Sequence, residues 1–66
     1  MSDAHTQLTA QKLIYAASAL GAEARRAERQ AADPQFEASR VIFADSARMY
    51  DELAEKLTRI AERVQR

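Results

Sequence analysis

A chain of 66 residues is one small domain at most, and a domain of this size hides only about 60% of the surface its unfolded chain exposes. Cysteine is absent and His5 is the single histidine, which excludes a disulfide and argues against a structural zinc site as the staple that small folds need. Ten basic residues balance ten acidic ones, so no overall field draws the chain to nucleic acid or to an anionic membrane. Association with another chain is the staple that remains. The composition, with 15 alanines, eight arginines against two lysines, one glycine and one proline, favours helix.

The first predicted element is a helix over residues 4 to 31, capped by Ser2 or Asp3. Alternating steps of three and four pick out Thr6, Ala10, Leu13, Ala17, Leu20, Ala24, Ala27 and Ala31 as its seam. The longest apolar run, Leu13 to Ala22, falls well short of the about 20 residues that cross a bilayer. Lys12 before this run and the small residues near Gly21 sketch a secretory leader. The helical pattern nevertheless continues unbroken into Glu23 and Arg25, as in a structural helix. A cytoplasmic protein without membrane contact is expected.

Asp33-Pro34 punctuates the chain. Proline forces the preceding residue into extended conformations and is well tolerated at the first helical position, where its missing N–H would be unpaired anyway. Asp33 then reads as the N-cap of a second helix over 34 to 65, with a turn at 32 and 33. A single long helix kinked at Pro34 is the competing architecture. No glycine follows the first helix to supply a left-handed cap, which weakens the hairpin reading. In the second helix the heptad steps select Phe36, Ser39, Phe43, Ser46, Tyr50, Leu53, Leu57, Ile60 and Val64.

Folding the two seams antiparallel about Asp33, so that facing positions sum to about 67, sets small against large. Ala31 then meets Phe36, Ala24 meets Phe43, Ala17 meets Tyr50 and Ala10 meets Leu57, while Leu13 and Leu20 meet Ala54 and Ala47. Gly21 falls beside Ser46, where a missing side chain would let the backbones approach closely, or would mark a flexible kink. The predicted fold is thus an all-α antiparallel helical hairpin.

Large apolar residues are left over. Ile42, Met49, Leu53 and Ile60 flank the second seam, and a two-helix hairpin has no wall to cover them. They are expected to form a dimer core in which two hairpins make a four-helix bundle about a twofold axis. Leu8, Ile14 and Tyr15 on the first helix either join that core or present a surface to a heterologous protein.

Signs of chemistry are few. His5 reads as a solvated residue at the chain start, and Ser39 and Ser46 as small core residues bonding backbone carbonyls. Asp45, Asp51, Glu52 and Glu55 lack the Glu-x-x-His pattern of metal-binding bundles. Arg48 with Glu52, Glu52 with Lys56, and Glu55 with Arg59 are spaced as surface ion pairs. No catalytic residue, metal ligand or cofactor site is expected. Arg25, Arg26, Arg29 and Arg40 suggest an anion site for RNA or a small nucleotide, but residues 23 to 40 carry four positive and four negative charges. The sequence therefore points first to a non-enzymatic homodimer that binds and modulates a larger protein, as an adaptor or a phage- or plasmid-type inhibitor does. Anion binding through the arginine cluster is the second reading.

Overall fold

The structure, a computed structural model, describes residues 2 to 65, without the side chains of Ser2, Asp3, His5 and Thr6. The expected capping by Ser2 or Asp3, the role of His5 and the seam place of Thr6 lie outside the described residues. Helix α1 spans Ser2–Ala32, a 3-10 segment spans Pro34–Ser39, and helix α2 spans Arg40–Gln65. A continuous helix over 64 residues would measure about 96 Å at 1.5 Å per residue. The longest dimension is 52 Å, with the others 13 and 10 Å, so the chain doubles back and α1 lies along α2. This settles the hairpin against the kinked single helix.

The reversal needs no left-handed residue, and no non-glycine position among the described residues has a positive φ. The Asp33 N–H donates to the carbonyl of Gln30 at 3.2 Å, tightening the last turn of α1 into a 3-10 closure. Asp33 itself is extended (φ −80°, ψ 123°), as a residue before proline should be. Its carboxylate accepts the Gln35 N–H at 2.9 Å and its carbonyl accepts the Phe36 N–H at 3.0 Å. The cap is the expected one, but the segment after it differs from the α-helix predicted from residue 34. Pro34–Ser39 runs as 3-10 helix with Phe36 kinked out of helical geometry (φ −108°, ψ 25°). Phe36 then meets Phe43 edge to face, centroids 5.4 Å apart.

The buried face of α1 is the predicted one, with Ala10, Ala17, Ala24 and Ala27 buried and Leu13, Leu20 and Ala31 half-buried. On α2 the seam differs. Ala47 and Ala61 are buried and Ala54 half-buried, whereas Leu53 and Ile60 are each 42% exposed and stand outside the interior. Phe43, Tyr50, Leu57 and Val64 keep their places on the seam, all half-buried.

Ile14, Ala17, Ser18 and Gly21 line one cleft with Asp51, Ala54, Glu55 and Thr58, and Ala31 and Ala32 line another with Glu37 and Arg40. Both helices thus turn small residues inward, with Ala10, Ala17 and Ala24 buried on α1 and Ala47 and Ala61 buried on α2.

Gly21 serves neither of its expected purposes. Helix α1 runs through it without interruption. A Cβ built on it would meet nothing of α2 within 4 Å, its nearest neighbours being the Arg25 guanidinium nitrogens at 3.7 and 3.8 Å. Gly21→Ala is therefore expected to raise stability by about 0.5 to 1 kcal/mol, read as a higher denaturant midpoint at unchanged slope. The buried alanines predict the opposite response. Ala24→Leu, at a site with 0% exposure, is expected to cost about 1 to 3 kcal/mol by forcing the helices apart, in the same denaturation experiment.

Candidate functional site

Seen down its axis, α2 has two unlike flanks. On one side the cleft opens over the seam, about 570 Å³ in volume, walled by Ile14, Ser18, Gly21 and Arg25 from α1 and by Asp51, Glu55, Thr58 and Arg59 from α2. Small residues along the α1 wall leave the space, and charges rim it. The Thr58 hydroxyl turns inward to the Ala54 carbonyl at 2.9 Å, the back-bonding expected of Ser39 and Ser46. Those two serines make no such bond and are half-buried.

On the other flank Ile42, Met49, Leu53 and Ile60 follow one another at steps of seven, four and seven. Ser46 and Lys56 fill the gaps to complete a second heptad stripe beside the Phe43–Tyr50–Leu57 edge. All four large members are exposed, Ile42 by 66% and Met49 by 54%. Ala16, half-buried, and Ala19 lie on the corresponding flank of α1, together with the polar Lys12 and Glu23. Val41, 70% exposed beside Ile42, escaped the sequence reading because it fits neither heptad.

The three candidate residues of α1 do not form one patch. Leu8 and Tyr15 lie two residues, about 200°, from the seam positions on either side of them, hence on the back of the helix. Tyr15 is 79% exposed there. Ile14 instead turns into the cleft. Sequence adjacency hid this, since neighbouring helical residues point about 100° apart.

The arginines are similarly dispersed. Arg25 lines the cleft together with Asp51 and Glu55. Arg26 approaches Glu23 at 3.9 Å, Arg29 is exposed in the last turn of α1, and Arg40 lies beyond the bend with Glu37. Each of Arg25, Arg26 and Arg40 thus has a carboxylate in its surroundings. Of the three ion pairs expected on α2, Glu55 with Arg59 forms, at 3.3 Å. Arg48 bonds Asp45 at 3.0 Å instead of Glu52, a shorter i,i+3 reach, and Glu52 with Lys56 is not among the pairs formed. Asp45, Asp51, Glu52 and Glu55 are all exposed, and among the described residues no three histidine, cysteine or acidic side chains gather as metal ligands would. No described helix is long and apolar enough to cross a membrane. Comparison with protein-family models, curated proteins and solved structures found no match for the chain.

Proposed function

We propose that this protein acts by binding and not by catalysis, as a homodimeric four-helix bundle that engages and modulates a larger protein. One observation carries the reading. The hairpin has an accessible surface of 5267 Å² for 7.4 kDa, where a compact monomer of that mass exposes about 4,200 Å². The excess, about 1,000 Å², is comparable to the roughly 800 Å² that each partner contributes to a standard protein interface. Among the described residues no large side chain is fully buried, so the apolar surface a core would hold is still outside.

The stripe of Ile42, Met49, Leu53 and Ile60 supplies the dimer core, and Leu8 and Tyr15 on the back of α1 stay available to the heterologous partner. Ile14, turned into the cleft, takes no part in either contact. Light scattering at micromolar concentration is expected to give twice the 7.4 kDa chain mass. Leu53→Glu buries an unpaired carboxylate at the centre of that core and should weaken association at least about 100-fold, equivalent to roughly 2.7 kcal/mol. Tyr15→Ala should leave the mass unchanged. A wild-type monomer would refute the dimer, and a Tyr15→Ala monomer would place the back of α1 inside it.

A further inference from the structure

The stripe on α2 has a symmetry that dictates how a second copy lies on it. Its members 42, 46, 49, 53, 56 and 60 mirror one another about residue 51: Ile42 with Ile60, Ser46 with Lys56, and Met49 with Leu53. An isologous twofold contact between antiparallel helices pairs positions in this way. We infer that the dimer forms by antiparallel packing of α2 on the partner's α2, with the twofold axis at the level of residue 51. This rests on the dimer reading above and adds its orientation.

Charge decides between orientations. In the antiparallel arrangement the level of Asp45 falls between those of Lys56 and Arg59 on the second copy, and the converse contact repeats across the axis. Only the two Glu52 carboxylates approach as like charges. A parallel twofold sets Lys56 against Lys56 within the stripe and carries Asp45, Glu52 and Arg59 to opposite sides of the interface, beside Tyr50, Leu57 and Val64 of the second copy, where none meets a charge of opposite sign. Like charges directly opposed cost free energy and are a common means of rejecting wrong pairings. The ions are free to exchange partners, since the Asp45–Arg48 and Glu55–Arg59 pairs all have side chains more than half exposed and such pairs contribute about 0 to 1 kcal/mol. Lys56 falls inside the apolar stripe, where its methylene stem covers Ser46 of the second copy while its ammonium reaches out toward Asp45.

Because the chain has no cysteine, disulfide trapping reads the orientation directly. Ile42→Cys and Ile60→Cys replace residues outside the hairpin interior. A disulfide needs Cα atoms about 4.4 to 6.8 Å apart. Antiparallel packing brings position 42 to position 60 of the second copy, and holds two copies of position 42 about 27 Å apart along the axis. The two variants, unfolded together, refolded and mildly oxidised, should therefore yield a covalent dimer on non-reducing electrophoresis, and neither alone should. Covalent dimer from Ile42→Cys alone, with light scattering still showing a dimer, would overturn the orientation and leave the dimer standing. A dimer that cross-links in neither experiment would show that the stripe is not the interface. A monomer by light scattering would remove both the orientation and the reading beneath it.

Discussion

Among the described residues every buried side chain of this hairpin is an alanine. Ala10, Ala17 and Ala24 on α1 and Ala47, Ala54 and Ala61 on α2 recur every seven residues, so the closest line between the helices is also the line with the smallest side chains. Such a seam draws two backbones together and packs them well. It also limits what the seam can hide, since a buried methylene contributes only about 0.8 kcal/mol and the space beside an alanine layer admits nothing larger. Phe43, Tyr50 and Leu57 are consequently pushed to the edge, half-covered. The next residues outward, Ile42, Met49, Leu53 and Ile60, are left in water. The exposure of this stripe follows from the same narrowness that draws the helices together.

Polar groups do little to hold this fold. Among the described residues the three ion pairs are all local and solvent-exposed, spaced three or four residues along one helix, and no buried polar side-chain atom lacks a partner. Where polarity matters is in its distribution. The cleft flank carries Arg25, Asp51, Glu55, Thr58 and Arg59, and the opposite flank of α2 carries the apolar stripe. A face rimmed with hydrated charges is costly to desolvate, whereas the stripe gains by leaving water. The hairpin is thus polarised across its width, charged on one flank of α2 and apolar on the other.

Much of the architecture was legible because its signals were local. Asp33-Pro34 announced the bend and its cap, and heptad spacing revealed the α1 seam residue by residue. The start of the second helix was not legible, because a 3-10 segment and a kinked Phe36 leave no distinct mark in the residues Pro34 to Ser39. Heptad steps also placed Leu53 and Ile60 on the seam as well as beside it, whereas Ala54 and Ala61 turn toward the interior. The arginines looked clustered for want of a third dimension: 25, 26 and 29 are close in number but spread around the helix.

The two helices differ in a way that bears on how they divide the work. A twofold contact requires a surface that is its own complement, and the α2 stripe satisfies this along about 18 residues, or roughly 27 Å of helix. The back of α1 does not. Moving from Leu8 and Tyr15 in steps of seven along that face leads to Ala22 and then Arg29, apolar at one end and charged at the other. Laid antiparallel on itself, this face would bury Leu8 against arginine. Laid parallel, it would oppose Arg29 to Arg29. This surface is unsuited to its own copy, and it carries Tyr15, 79% exposed, as the contact proposed with a different protein requires. The self-association proposed for α2 leaves it in place twice, once on each outer side of the proposed bundle.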